Sequence, residues 1–344
     1  MTRSGASPDP HPDPFSERTP VRVRRPLQLL GGRFHFESSS AELLQLVNWA
    51  YAGLPAHTLL ARPPRFTVRL VLNPAAARRP VRGEPPALTL MGGAGFLGGV
   101  AADASFVTLS PSQAAALVVV APEMLKSPYH ARYELLEFAV FTLAARAQQL
   151  MPLHAACVSL HDRGLLLMGA SGAGKTTMAL HCLLRRLDFV AEDAVFVRPA
   201  DLLATGIANF LHVCPQTLRW LPQQQAARVR ASPGIRRRSG AQKFELDLRH
   251  EDYRLAASPP RVAAAVFLSS QAGGRTLLRR LSAAEVRTRL AAAQPYAAGR
   301  PRWNLFAANV EALGGYELRR GRHPQEGAEA LHELLAATEC HQRF

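Results

Sequence analysis

The chain has 344 residues, 48% of them hydrophobic, enough for two domains with real cores. No apolar run approaches the ~20 residues of a membrane helix, and the start, Met1-Thr2-Arg3-Ser4-Gly5, has no signal-peptide core, so a cytoplasmic protein without a membrane partner is expected. The net charge of +15 points towards an anionic partner. Nearly all of it, however, is arginine amid abundant alanine and proline, with lysine only at Lys126, Lys175 and Lys243. A GC-rich genome gives that bias, and no helix-turn-helix, zinc-finger or RNA-binding signature is present, so nucleic acid is not the expected partner.

Residues 1–26 are rich in Pro, Ser, Asp and Arg and read as a disordered tail, in which Arg22, Arg24 and Arg25 form either a docking arm or a solvated run. From Leu27 a folded segment begins. Phe34-His35-Phe36 alternates as a strand, and Ser38-Ser39-Ser40 offers an N-cap to a helix over 41–47, stopped by Gly53-Leu54-Pro55. Residues 66–72 read as a strand, 73–86 as a long proline-containing loop, and 87–91, 96–101 and 105–109 as three short strands between glycine-rich turns. Together with a well-buried connecting helix over 130–149, these make a small α+β domain spanning 27–150. It shows no catalytic constellation.

A second domain, 151–344, begins with one strand over 153–160, and His161-Asp162-Arg163-Gly164 turns the chain back. The run Gly164-Leu165-Leu166-Leu167-Met168 then reads as a strand buried on both faces. It enters Gly169-Ala170-Ser171-Gly172-Ala173-Gly174-Lys175-Thr176, which matches the phosphate-loop pattern G-x-x-x-x-G-K-[ST] in full, with Thr177 following. Ala179, Leu180, Leu183, Leu184 and Leu187 place one apolar face on the helix that leaves it. In such a loop, glycines free the backbone N–H groups to face phosphate oxygens, and the helix N-terminus adds its positive end. Lys175 reaches the β- and γ-phosphates and the Thr176 hydroxyl binds Mg²⁺.

Residues 189–197 carry Glu192-Asp193 inside an apolar strand-like run. Paired carboxylates there need a cation, and Mg²⁺ on nucleotide phosphates supplies one; the alternative is a turn with both acids in water. Residues 206–215 read as a strand, 217–221 as helical, and the basic cluster 236–243 either holds phosphates or is a solvated loop. A strand over 244–248, a core strand over 262–268 and amphipathic helices over 281–293 and 326–337 complete the chain. Cys157, Cys182, Cys214 and Cys340 lie far apart and read as idle thiols.

Leu153-His154, the loop 169–176 and Ala191-Glu192-Asp193 together resemble the catalytic domain of HPr kinase/phosphorylase and HPr-kinase-like serine kinases, over about 153–197 and more weakly to about 270. The resemblance implies an α/β fold with a P-loop kinase domain of the HPr-kinase type, and ATP- and Mg²⁺-dependent phosphorylation of a serine on a protein or peptide. It implies that residues 169–177 hold ATP, that Lys175 and His154 flank the γ-phosphate, and that Thr176, Glu192 and Asp193 supply the metal ligands and the base. The family's usual pair is two aspartates; here the first is Glu192. The glycine-rich signature tied to hexamer assembly and the phosphorylase reaction is absent, so neither is expected, and the oligomeric state stays open. A P-loop ATPase and a non-catalytic ATP-binding regulator are the alternatives.

Overall fold

A computed structural model describes residues 22–73, 87–101, 104–249, 252–274 and 277–340. The first sheet has seven strands: β1 (Val23–Leu29), β2 (Gly32–Ser38), β3 (Arg65–Leu72), β4 (Thr89–Gly93), β5 (Phe96–Val100), β6 (Phe106–Ser110) and β7 (Ala115–Val120). Their spatial order is β1-β2-β3-β7-β6-β5-β4. The helices Ala41–Tyr51 and Glu137–Gln148 pack on it around Phe34, Phe36, Leu43, Val47, Val140 and Leu143. Ser40 caps the first helix as expected, accepting from the Leu43 N–H.

Two corrections fall here. The expected tail ends early, because Val23 already starts β1, where Arg24 stands opposite Glu37 and pairs with it at 2.8 Å. Pro26 is tolerated because β1 is an edge strand. The rest of the expected tail, 1–21, lies outside the described residues, as does nearly all of the expected loop at 73–86. The sheet also runs past residue 110: Ala115–Val120 forms β7, a continuously apolar strand between β3 and β6. The expected single helix over 130–149 is a π-helical stretch, Ala131–Leu136, running into Glu137–Gln148.

The remaining strands are β8 (Met151–Leu153), β9 (Ala156–Leu160), β10 (Arg163–Met168), β11 (Asp188–Ala191), β12 (Val195–Val197), β13 (Ala204–Gly206), β14 (Phe210–Val213), β15 (Gly234–Arg236), β16 (Gln242–Asp247), β17 (Arg261–Ala272), β18 (Leu278–Leu281) and β19 (Gly315–Arg320). The central sheet, β11-β9-β10-β17-β19-β18, is mixed, with β10, β17 and β19 parallel. Two three-stranded sheets, β13-β12-β8 and β14-β16-β15, flank it. Along β10 the side chains alternate. Leu165 and Leu167 join the helices Lys175–Leu184 and Pro324–Cys340 in one core; Leu166 and Met168 join the helices Ala283–Ala293 and Trp303–Leu313 in another. Both faces are therefore covered, which is why β10 reads as an unbroken apolar run.

Two runs expected as single strands divide, and they divide side by side. Residues 153–160 become β8 and β9, and 189–197 become β11 and β12. β9 pairs with β11 in the central sheet, while β8 pairs with β12 in a small one. The register is continuous across the gap: Ala191 faces Cys157 and Val195 faces Leu153. One antiparallel ladder is thus parted in the middle, at His154-Ala155 on one strand and Glu192-Asp193-Ala194 on the other. Of the run 206–215, only 210–213 form a strand, β14; Gly206 ends β13, and Pro215 begins a 3₁₀ helix.

Gly206 closes against this parting. A Cβ there would lie 2.2 Å from the Ala191 Cβ and 3.0 Å from the Val190 oxygen. Gly206→Ala is expected to cost about 1–3 kcal/mol by overpacking, read as a lower urea midpoint at unchanged slope.

Candidate functional site

β10 delivers the chain into the loop 169–174, where Gly172 and Gly174 take φ of +80° and +99°, conformations that a side chain would strain. The helix Lys175–Leu184 follows directly. Lys175, only 6% exposed, turns its Nζ back onto the carbonyl oxygens of Gly169 (2.8 Å) and Ala170 (3.3 Å). Burial pushes its ammonium pKa down, against the opposing pull of Asp193 and Glu192. The Thr176 hydroxyl donates to Glu192 Oε1, and Thr177 shares a hydrogen bond of 2.9 Å with Thr217.

The acidic pair sits in the parting between β11 and β12. Asp193 has φ +62°, a left-handed conformation that aspartate tolerates better than most residues. The geometry is the turn of the alternative reading, but the acids are not left in water. The Glu192 side chain is 2% exposed; its Oε2 accepts from the His212 backbone N–H at 2.7 Å and faces His212 Nδ1 at 3.2 Å. Asp193 Oδ2 lies 2.7 Å from Arg237 Nη1. Burial alone would raise the Asp193 carboxyl; Arg237, with Lys243 and His154, outweighs it and holds the group below the usual aspartate range. His154 is exposed, not a core histidine, and its Nδ1 is 3.3 Å from the Asp193 carbonyl oxygen.

A buried chain of alternating charge stands behind the pair. His212 Nε2 meets Glu245 Oε1 at 3.1 Å, and the same oxygen accepts from Arg132 at 2.5 Å. Arg132 Nε faces Glu137 at 3.2 Å. Burial opposes the charge of His212, but its two glutamate partners outweigh it and raise its pKa. Gln294, 2% exposed, fixes the other side of the parting. Its amide accepts from the His154 N–H at 2.8 Å and donates to the His154 carbonyl at 3.1 Å.

These groups border a cavity of about 490 Å³. Residues 171–177, His154 and Asp193 line it from one side; Trp220, His323 and the end of β19 line it from another. Its basic residues are Lys175, Arg219, Arg237, Lys243, Arg319, Arg320 and Arg322, and Asp193 is its sole carboxylate among the described residues. Such a cavity suits a polyanion. Of the expected site residues, Gly169, Ala170 and Glu192 are not in the lining; Glu192 is buried behind it. The basic cluster is the turn of a hairpin between β15 and β16, with Arg237 on Asp193 and Arg238 on Glu134. Glu192, Asp193 and His212 bring ligand atoms within 4.8 Å of one another. Two carboxylates beside the Thr176 hydroxyl form an oxygen-rich set that fits Mg²⁺. Cys157 and Cys182 lie apart from this chemistry, their thiols pushed up to about 12 by burial.

Sequence reading did not single out Trp220, His212, Glu245, Gln294 or Arg132. Each is an isolated residue in a strand, helix or loop, without a local pattern to mark it.

The fold is a mixed α/β architecture with several mixed sheets, and no helix among the described residues is long and apolar enough to cross a membrane. No family model matches the chain, and no curated protein matches it. Among solved structures, the chain is similar to the Hpr(Ser) kinase/phosphatase from Coxiella burnetii at 12% identity and a TM-score of 0.27, over 56% of this chain and 92% of that one. A likeness of that size carries no argument.

Proposed function

We propose that the chain is an ATP-dependent kinase of the HPr-kinase-like type, with its catalytic domain over 151–344, transferring the γ-phosphoryl group to a serine of a cytoplasmic protein or peptide. The observation that carries the reading is a convergence. A glycine-rich loop, its lysine and threonine, and Asp193 from the parted ladder meet at one cationic cavity, with Glu192 bonded to the threonine behind it.

The roles follow from the geometry. Lys175 exchanges its loop carbonyls for phosphate oxygens, as a point charge. Glu192 is bonded to Thr176 and backed by His212, so it belongs to the metal side; Thr176 and Glu192 would hold Mg²⁺, leaving Asp193 for the acceptor. When bound, that ion neutralises charge on the transferred group. Asp193 faces the cavity and is held ionised by Arg237, so it takes the acceptor's proton. Arg237 and Lys243 orient the phosphates.

The test is γ-labelled ATP·Mg²⁺ with the purified protein and a lysate of its own source, beside Lys175→Ala. Label on a lysate protein with wild type only is the expected result. The variant should bind ATP roughly 10- to 100-fold more weakly, the size of a lost charged hydrogen bond; unchanged affinity would overturn the role of Lys175. Free phosphate without labelled protein would instead indicate an ATPase, and intact binding without either product a regulator.

A further inference from the structure

Asp193 and His154 line a second cavity as well. It has a volume of about 600 Å³ and shares only these two lining residues with the first. Its walls come from the hairpin of β4 and β5, the helix Glu137–Gln148, the short helix Pro295–Ala298 with Arg300 just after it, and residues 152–154 and 193–196 of the parted ladder. Leu90, Met91, Phe141 and Tyr296 make it largely apolar, and Leu90, Met91 and Tyr296 are 63%, 57% and 93% exposed.

Two further features say what fits there. β4 is the last strand of the seven-stranded sheet, exposed along its whole length. An edge that none of the described residues pairs with is a template for a pairing strand. Arg146 and Arg300 line the same cavity, and burial together with their mutual repulsion lowers the pKa of Arg300. No carboxylate but Asp193 lines the cavity among the described residues. Two adjacent cations without an acid form a waiting anion site.

We propose that this groove is the acceptor subsite: it takes an extended protein segment that pairs along the β4 edge, with apolar side chains at alternate positions, a carboxylate for Arg146 and Arg300, and its hydroxyl at Asp193. The inference rests on the kinase reading for the identity of that hydroxyl, whereas peptide binding itself does not. An extended strand presents alternate side chains to one face, which suits a wall that is apolar at Leu90 and Met91 and cationic further on. Asp193 then stands where the two cavities meet, one for the donor and one for the acceptor.

The probes are short fluorescein-labelled serine peptides with valine at alternate positions and either aspartate or lysine beside them. Binding is read by fluorescence polarisation with a non-hydrolysable ATP analogue present, and phosphate transfer is followed separately. Wild type should prefer the aspartate peptide by roughly tenfold or more. The double variant Arg146→Glu/Arg300→Glu should prefer the lysine peptide, an inversion that a misfolded protein cannot produce. If that variant does not fold, Arg300→Gln alone should bring the two affinities together. Equal affinity of wild type for both peptides, or an acidic preference that survives substitution, overturns the subsite. Inversion without transfer to any peptide or lysate protein leaves the groove standing and removes the kinase reading instead.

Discussion

Asp193→Asn lowers the rate of phosphate transfer by ~10²- to 10⁴-fold, the usual contribution of a positioned general base, while nucleotide affinity changes little. The asymmetry follows from where the carboxylate sits. Asp193 lines both cavities, and Arg237 at 2.7 Å keeps it charged. Asparagine fills the same space and retains polar contact with Arg237, but it takes no proton. The contrast is Glu192→Gln. That side chain is buried behind the lining, bonded to Thr176 and His212, so its loss should appear first as a higher Mg²⁺ requirement. Removing a group that merely orients a metal ligand typically costs ~10- to 100-fold, so losing a ligand should cost at least that. Measuring kcat, the KM for ATP and the Mg²⁺ dependence of both variants separates the roles. If Asp193→Asn kept its rate and Glu192→Gln lost it, the two assignments would be exchanged.

The loop and the acidic pair are legible in the sequence because each depends on local chemistry. Gly172 and Gly174 are needed where the backbone turns left-handed, and Glu192-Asp193 stands out against the apolar residues on both sides. Ser40 is legible as a cap for the same reason. The parted ladder is not. Apolar runs at 153–160 and 189–197 show that both segments are buried, but hydrophobicity does not say which sheet each half joins. That is settled by distant partners: β9 pairs with β10 and carries β11 into the central sheet, while β12 also pairs with β13. The parting is what brings His154 beside Asp193, so the feature that assembles the site is the one that pattern reading smooths over. The second cavity is hidden for a similar reason, since its walls come from segments around residues 90, 141 and 296 that share no motif.

The largest effect on stability is expected from Arg132→Met, at about 3–5 kcal/mol, the cost of leaving a buried charge pair without one partner. Arg132 is 1% exposed. Its guanidinium lies 4.5 Å from the ring centre of Trp49 and 4.4 Å from that of Phe210, and it neutralises both Glu245 and Glu137. Methionine keeps most of the packing, so the loss reports the charge. Burial alone raises the carboxyls of both glutamates. In the intact protein His212 and Arg132 outweigh it at Glu245, which lies below its ordinary value, whereas Glu137 stays above its own. Without the arginine both move up. A carboxyl raised on folding contributes stability below its unfolded pKa and loses it as pH rises through the folded value. The deficit of Arg132→Met should therefore widen as pH rises above the ordinary glutamate range, as read from urea midpoints of variant and wild type. A deficit independent of pH would mean that packing on Trp49 and Phe210, not charge, is what Arg132 supplies. Adding Glu137→Gln and Glu245→Gln should recover part of the loss by removing the stranded charges. Recovery of catalysis should not follow, because Glu245 also holds His212, and His212 holds Glu192. The charge chain thus ties the interior beneath the N-terminal sheet to Glu192, the proposed metal ligand, and its contribution to stability and its proposed part in catalysis are separable by this one set of variants.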